Sequence, residues 1–239
     1  LRVHDLRCAR AAQARLGPFA ASKEARLLAA DLALQSGDLA GARAGYDAQL
    51  AAARDWDVLA WRAWLAARLG DFDGADALYA EAEDGLSALE LRPYAFLARE
   101  RGLLALARGR HAEAAAHYAR AERAYPGDWR TADLRAEWLG AEGRHEEAAV
   151  AYRALLAQAP RPEFAQALGD LYRRTERPER AVPWHAQALA GYLGSVERGE
   201  VQYLHHLAGY YADVEEDGAA ALVWAARDAG LRPNFLSAD

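Results

Sequence analysis

A pattern of small and aromatic residues recurs along this chain at intervals of 33 to 39 residues. In residues 129–160, two stretches with apolar side chains at helical spacing flank a turn at Gly143. Ala136 lies before the turn, and Ala148 and Tyr152 follow it. Small residues let paired helices approach closely, and an aromatic ring fills the gap toward the next pair. The pattern therefore predicts a chain built from repeated helix hairpins.

The turn position can be followed through six units. Successive turns are 33, 39, 34, 33 and 39 residues apart, which is close to the length of one helical repeat. The two longer intervals contain additional residues near 84–94 and 191–200, where Pro and Gly indicate loops or lengthened helices. The six predicted turn residues are Gly37, Gly70, Gly109, Gly143, Glu176 and Glu215.

Two small residues and one ring recur around each turn. The residue seven positions before the turn is always Ala or Gly, and the residue five positions after it is always Ala. Aromatic residues make up only 10% of the chain, so their recurrence nine positions after the turn is the stronger signal. We predict that this aromatic column fills the gaps between successive hairpins, and that a bare last unit would leave the Trp224 side partly exposed. Its members are Tyr46, Tyr79, Tyr118, Tyr152, His185 and Trp224.

Over about residues 23–233 the unit resembles the tetratricopeptide repeat (TPR). The resemblance implies an all-α fold: a right-handed α-solenoid of stacked antiparallel helix hairpins, a TPR-like superhelix whose first helices line a concave groove. We predict that residues 1–22 form an N-terminal cap helix or partial repeat, with the helix over Val3–Leu16. Residues 23–233 then form an array of about six hairpins, and residues 234–239 begin a further, truncated repeat.

Charge and composition exclude several classes of function. A net charge of -6 and a pI near 5.7 disfavour non-specific binding to nucleic acid. Charged residues interrupt every apolar stretch, so we expect no membrane insertion. The single cysteine, Cys8, cannot form an internal disulfide. The compartment stays open between cytoplasm and periplasm for a soluble protein. Because the chain opens with Leu1 and lacks Met, we expect its natural start to lie upstream.

The amino-acid usage is rich in Ala, Arg, Gly and Leu and lacks Ile, which favours a bacterial source. A phosphate-binding P-loop is excluded because Lys23 is the sole lysine. Ser195 lacks the Gly-x-Ser-x-Gly context of an activated nucleophile. The sequence therefore predicts neither a cofactor nor an enzyme.

One histidine pair could support a metal-binding alternative. His205 and His206 are adjacent, and Asp213 follows on the same predicted helix. Adjacent helical residues point about 100° apart, so the two rings cannot bind one ion as an i, i+4 pair could. The spacing favours a packing or ligand-contact role over a metal site.

The predicted groove carries side chains three or four residues apart on the first helices, which form one stripe per helix. Such a surface of alternating charge with an aromatic end suits an extended peptide or a helix. As an alternative, Trp64 could belong to the hairpin core, and Arg and Asp side chains could pair with each other. The predicted groove residues are Trp61, Trp64, Arg68, Arg99, Leu103, Arg130, Asp133, Glu137, Gln166, Asp170, Arg173, His205 and Asp213.

These observations predict a non-catalytic TPR scaffold that binds a protein or peptide partner in its concave groove, as a monomer or with weak end-to-end association. The first alternative is a ligand- or peptide-sensing regulatory module. A metal-dependent enzyme centred on His205 and His206 is the less favoured alternative.

Overall fold

The computed structural model describes residues 6–231, and these residues form thirteen α-helices and no strand. Two short 3-10 helices, Gly17–Ala21 and Val201–Tyr203, precede the second and the twelfth α-helix. The α-helices are α1 (Leu6–Gln13), α2 (Lys23–Gln35), α3 (Leu39–Ala52), α4 (Trp56–Arg68), α5 (Phe72–Asp84), α6 (Leu91–Ala107), α7 (His111–Ala124), α8 (Trp129–Ala141), α9 (His145–Gln158), α10 (Pro162–Arg174), α11 (Pro178–Glu197), α12 (Leu204–Asp213) and α13 (Gly218–Leu231).

Helices α2 to α13 follow each other as six pairs, here called hairpins 1 to 6. In hairpin 1, Gly37 has a φ of 80°, which an L side chain rarely adopts. The Asp38 N–H donates to the Ala33 carbonyl at 2.9 Å, and the Gly37 N–H donates to the Leu34 carbonyl at 3.0 Å. This pair of bonds is the Schellman motif that ends many helices. The predicted glycines therefore reverse the chain at the ends of the first helices.

The fifth turn keeps this geometry without glycine. Glu176 has a φ of 58°, and the Arg177 N–H donates to the Tyr172 carbonyl at 3.0 Å. A non-glycine residue in this left-handed region costs roughly 1–2 kcal/mol. The fifth turn therefore adopts a conformation that the local sequence disfavours.

The sixth turn differs from the prediction by one residue. Glu216, not Glu215, has the positive φ, at 54°. The Asp217 N–H donates to the Tyr211 carbonyl at 2.8 Å, so this turn spans one residue more than the others. The extra residue rotates every side chain of α13 by about 100° relative to the predicted register.

The rotation explains why Trp224 departs from the aromatic column. The other five members of the column are buried, whereas Trp224 keeps partial exposure. Counted from Glu216, Asp228 takes the position of Ala121 and Leu155, twelve residues after their turns, and all three are buried. The partial exposure of Trp224 agrees with the expectation for the last unit, whereas its shift in register was not predicted, because a one-residue insertion in the turn is invisible without glycine.

Small residues at the predicted positions are required by the neighbouring rings. Gly102 lies seven residues before the third turn, and a Cβ added there would lie 2.4 Å from Cε1 of Tyr118. The Tyr118 ring is buried, so it has no room to move. Close helix approach in hairpin 3 therefore depends on the absence of a side chain at Gly102.

The helices belong to two compact units. Unit 1 comprises residues 1–49, 161–166 and 182–239, of which the structure describes those between 6 and 231. Within unit 1, α1 packs on α2, and α12 packs on α13. Unit 2 comprises residues 50–160 and 167–181, and it contains all of hairpins 2, 3 and 4.

Ion pairs join successive hairpins inside unit 2. Arg101 of α6 binds Glu83 of α5 with an N–O distance of 2.9 Å. One hairpin later, Arg135 of α8 binds Glu122 of α7 at 3.0 Å. Both arginines lie eight residues before their turn, and both glutamates lie thirteen residues after the preceding turn. The repeat thus reproduces the same Arg–Glu contact at two consecutive hairpin junctions.

The predicted insertions take two forms. After α5 the chain forms a short loop before the 17-residue helix α6, whereas the second insertion lengthens α11 to 20 residues. Helix α1 begins at Leu6 and ends at Gln13, earlier than the predicted Leu16, and Val3 lies outside the described residues. The predicted truncated repeat at 234–239 also lies outside them. Among the described helices, none is long and apolar enough to cross a bilayer.

Candidate functional site

The first helices of unit 2 carry most of the predicted groove residues. Helix α4 packs against α6, and α6 packs against α8, so first helices of successive hairpins are direct neighbours. We call the surface formed by α4, α6, α8 and the unit 2 part of α10 the first-helix face. Two clefts open between its helices.

The first cleft, here called the Trp64 cleft, lies between α4 and α6 and has a volume of about 270 Å³. The Arg68 guanidinium lies 4.9 Å from the centre of the Trp64 ring, within the range of a cation–π contact. Trp61 meets Trp64 edge to face with ring centres 6.5 Å apart, and it is 42% exposed. The lining residues are Trp64, Ala67, Arg68, Phe72, Tyr79, Glu100, Leu103, Leu104 and Ala107.

The second cleft, here called the Glu137 cleft, lies between α8 and α10 and has a volume of about 430 Å³. Small side chains at Gly140, Ala141 and Ala167 keep it open. Three charged groups and one phenol reach its surface. The lining residues are Ala136, Glu137, Gly140, Ala141, Tyr152, Ala167, Asp170, Leu171 and Arg174.

The two clefts use equivalent positions of the repeat. Trp64 and Glu137 both lie six residues before their turn, and Tyr79 and Tyr152 both lie nine residues after it. Each cleft is therefore bounded by one first helix, the next first helix and a ring of the aromatic column. The repeat geometry fixes where a cleft forms, and the side chains at these positions fix its chemistry.

Each cleft contains one glutamate whose pKa is raised by its surroundings. Partial burial of the Glu137 carboxyl against the cleft wall raises its pKa, although the residue as a whole is exposed, and the Arg174 cation partly offsets this increase. Burial likewise raises the pKa of Glu100 in the Trp64 cleft, against the effect of Arg99 at 3.4 Å. Desolvation disfavours a carboxylate, and a donated hydrogen bond such as that from Arg99 to Glu100 offsets the cost. Glu137 makes no hydrogen bond or ion pair with any residue between 6 and 231.

Two predicted groove arginines already contact neighbouring side chains. Arg99 is only 12% exposed, and it binds Asp128 at 2.9 Å as well as Glu100. Arg130 lies over the ring of Trp129, with its guanidinium 4.3 Å from the ring centre. For Arg99 these contacts match the alternative in which Arg and Asp side chains pair with each other.

The remaining unit 2 residues of the prediction lie near the Glu137 cleft. Asp170 lines it, and Arg173 pairs with Asp170 at 3.7 Å. Asp133 is half-buried on α8. Burial raises the pKa of Tyr152, and the negative charges of Glu137 and Asp133 add to this increase. Leu103 lines the Trp64 cleft with 36% exposure.

Three predicted groove residues belong to unit 1. Gln166 accepts a hydrogen bond from the Tyr192 hydroxyl at 2.8 Å. His205 is exposed, and its ring centre lies 4.1 Å from that of His206, which stacks on Tyr192. Asp213 is exposed at the end of α12. The histidine pair is thus part of an aromatic cluster, and residues 6–231 contain no group of three or more His, Cys, Asp or Glu side chains that could hold a metal ion.

Several lining residues were absent from the predicted groove. Tyr79 and Tyr152 had been assigned to the core, and they are buried while their edges reach the clefts. Arg174 lines the Glu137 cleft, whereas the prediction named its neighbour Arg173. The signal for Arg174 was present, because it lies two residues before its turn, as Arg68 does.

A third depression, of about 490 Å³, lies between α8 and α9 and is mostly apolar. Its charged rim residues are already paired: Arg135 binds Glu122 at 3.0 Å, and Glu147 binds Arg144 at 2.6 Å. Glu146 also binds Arg177. This depression is larger than either cleft, but its polar groups are engaged within unit 2.

No protein-family model matches the sequence. No curated protein is significantly similar to it in sequence. Solved structures do share its fold. The chain is similar to the Cut9-Hcn1 hetero-tetramer of the APC/C, with a TM-score of 0.64, 14% identity and coverage of 99% of this chain. It spans only 45% of the length of that neighbour.

Two bacterial structures cover the chain more evenly. PilF of Pseudomonas aeruginosa has a TM-score of 0.60 and 18% identity over 90% of this chain and 93% of its own. A tetratricopeptide repeat protein from Parabacteroides merdae has a TM-score of 0.57 and 16% identity over 93% of this chain and 85% of its own. These likenesses and the six hairpins confirm the predicted fold class. The chain therefore has the fold of tetratricopeptide repeat proteins, a succession of stacked helix hairpins.

Proposed function

We propose that this protein is a non-catalytic scaffold that binds an extended segment of a protein partner on the first-helix face of unit 2. The observation that carries the proposal is the recurrence of a cleft at the same repeat positions, first beside Trp64 and then beside Glu137. An extended peptide presents side chains at regular intervals, so it suits a surface on which pockets also recur.

The chemistry of the two clefts supports a peptide rather than a small metabolite. The Trp64 cleft offers an indole, a guanidinium and leucine side chains, which are residue types that anchor protein interfaces. The Glu137 cleft offers polar groups at a second point on the same face. A single ligand of a few atoms could fill only one of them, whereas a segment of several residues could contact both.

The similar structures support a protein partner in one further respect. The Cut9-Hcn1 structure is that of a hetero-tetramer, so the fold occurs there inside a protein complex. We expect the present chain to act in the same general way, by holding another chain. The predicted groove residues on the first-helix face are the proposed contacts.

Peptide selection on the immobilised protein tests the proposal. Peptides enriched from a random display library should bind the wild-type chain in calorimetry, and Trp64→Ala should weaken binding by about tenfold or more, as at interface hot spots. Trp61→Ala should weaken it less, because that ring is more exposed. Val150→Ala is the matched control, since Val150 is 58% exposed on α9 and lies in neither cleft.

Two outcomes would contradict the proposal. One is that enriched peptides bind the wild type, Trp64→Ala and Val150→Ala with equal affinity. The other is that no peptide is enriched over a control selection without protein. Circular dichroism of Trp64→Ala, compared with wild type, establishes that any lost binding does not reflect unfolding.

A further inference from the structure

Hairpin 1 shows what a carboxylate and a tyrosine do when both occupy the cleft positions. Asp31 lies six residues before its turn and Tyr46 lies nine residues after it. The Tyr46 hydroxyl donates to Oδ1 of Asp31 at 2.6 Å, and the Tyr46 ring is fully buried. This contact satisfies the phenol inside the hairpin itself.

Hairpin 4 has the same two residue types at the same two positions but does not form the bond. Glu137 takes the place of Asp31, and Tyr152 takes the place of Tyr46. Tyr152 is 4% exposed and lines the Glu137 cleft, and its hydroxyl has no hydrogen-bond partner among residues 6–231. Buried tyrosine hydroxyls usually find a partner. In hairpin 4 the Tyr152 hydroxyl, a donor, and the Glu137 carboxylate, an acceptor, are instead both available to a group bound in the cleft.

The charges around the cleft select the kind of group that could use them. Glu137 and Asp170 are negative, whereas Arg174 lines the same cleft and Arg173 lies beside Asp170 at 3.7 Å. A cation would be attracted by the carboxylates and repelled by the arginines, and an anion would meet the reverse. Charges of both signs in one small cleft therefore favour a neutral group with both a hydrogen-bond donor and an acceptor.

We propose that the Glu137 cleft binds a carboxamide, whose N–H donates to the Glu137 carboxylate and whose carbonyl accepts from the Tyr152 hydroxyl or the Arg174 guanidinium. The Glu137 carboxylate, exposed on one side, accepts hydrogen bonds, and the buried Tyr152 phenol gains from an acceptor. The small residues Gly140 and Ala141 leave space for such a group to approach. This inference rests on the proposed function, since it names the group that a bound segment places there.

A carboxamide could come from two sources: the backbone of the bound peptide, or an Asn or Gln side chain. Small probes separate them. Propionamide represents the side chains, and N-methylacetamide represents the peptide bond. Acetate and ethylammonium serve as charged probes of similar size, compared at constant ionic strength because salt screens charged contacts.

The experiment is a titration of the ¹⁵N-labelled protein, followed by the backbone N–H signals of Gly140 and Ala141. We expect saturable shifts with at least one amide, and smaller shifts with acetate and ethylammonium. Saturation by propionamide alone identifies the side-chain source, and saturation by N-methylacetamide identifies the backbone source. Tyr152→Phe, which keeps the ring, should weaken amide binding by about threefold or more, as should Glu137→Ala on the exposed side of the cleft. Val150→Ala should bind the amides like wild type.

The inference is wrong if a charged probe binds more tightly than both amides, if neither amide gives saturable shifts, or if both cleft variants bind amides like wild type. Its failure can be separated from failure of the proposed function. If selected peptides depend on Trp64 but the amides give no response, only the carboxamide inference fails. If the amides respond but no peptide binds, the scaffold proposal fails and the chemistry of the cleft stands.

Discussion

The Trp64 cleft and the Glu137 cleft occupy equivalent positions of the repeat, yet they present different surfaces. In the first, an indole and leucines surround one guanidinium, and the buried Glu100 is already paired with Arg99. In the second, glycine and alanine make up four of the nine lining residues, and Glu137 has no hydrogen bond or ion pair within residues 6–231. Backbone geometry is common to both. A repeat protein can therefore change what it binds through one or two residues without changing its fold.

Comparison of the two clefts also separates the residues that stabilise the fold from those that can contact a ligand. Tyr79 and Tyr152 are structural in both clefts, since each ring is buried in the aromatic column. By contrast, the residue six positions before the turn, Trp64 or Glu137, varies freely between hairpins. Substitutions at the shared rings should thus have equal effects, and substitutions at the variable positions should not.

The largest expected effect tests what the clefts share. Tyr79→Ala and Tyr152→Ala should each lower the free energy of unfolding by about 3–5 kcal/mol, because each removes a buried ring and leaves a cavity. Urea denaturation followed by circular dichroism measures the free energy of unfolding of both variants. As a control at an exposed position, Val150→Ala should change this free energy by less than about 0.5 kcal/mol. A loss below about 1 kcal/mol for either tyrosine would show that its ring does not hold the hairpins together.

An intermediate effect distinguishes the cleft wall from the core beside it. Gly102→Ala places a Cβ against the buried Tyr118 ring and should cost about 1–3 kcal/mol through overpacking. Gly140→Ala meets its nearest atom, Cδ1 of Leu171, at 3.8 Å, which is ordinary contact. Because alanine favours the helix, it should stabilise by up to about 1 kcal/mol. Thermal and urea unfolding of both variants test this contrast. It would be refuted if both substitutions destabilised the protein or if both stabilised it.

The smallest effect concerns the titration of Glu137. Its pKa should lie above the ordinary value of 4.5 because of burial, and Arg174→Ala should raise it further by removing the offsetting cation. Side-chain carboxyl NMR across a pH series measures both values. A pKa at or below 4.5 in the wild type, or a decrease in Arg174→Ala, would contradict this account of the cleft.

The same shift gives the sign of a stability effect. A raised pKa in the folded state means that the protonated carboxyl contributes stability below the ordinary pKa of 4.5, and this stability is lost as the pH rises through the folded pKa. Glu137→Gln keeps a neutral group, so its stability relative to wild type should be higher at pH 7 than at pH 4. Because Glu137 is exposed on one side, the relative stability of the variant should differ between the two pH values by no more than about 0.5 kcal/mol.

The sequence predicted the elements of this fold better than its surfaces. Glycine marks a left-handed turn residue, so the sequence alone places four of the six turns. The fifth, at Glu176, followed from spacing. The sixth was misplaced by one residue, because neither Glu215 nor Glu216 carries a local signal for positive φ. Trp224 then left the aromatic column as a direct consequence.

The clefts were harder to predict, because a side chain at a predicted groove position can form an ion pair with a neighbouring residue and is then not available to a ligand. Arg99 lies on the first-helix face, but Asp128, at the start of α8, binds it at 2.9 Å. That contact joins residues 29 positions apart and leaves no mark in the local pattern. Tyr152 shows the reverse: a residue assigned to the core also forms a cleft wall. Whether the predicted groove residues bind a partner stays a prediction.

The two Arg–Glu contacts between hairpins have a consequence for how this protein would respond to its solvent. At the α5/α6 junction the Arg101 and Glu83 side chains are 18% and 12% exposed, whereas Arg135 and Glu122 at the α7/α8 junction are 51% and 50% exposed. Dissolved ions weaken exposed pairs far more than enclosed ones. Raising the salt concentration should therefore weaken the contact between α7 and α8 more than the contact between α5 and α6. Backbone amide exchange should then become faster first around Arg135 and Glu122.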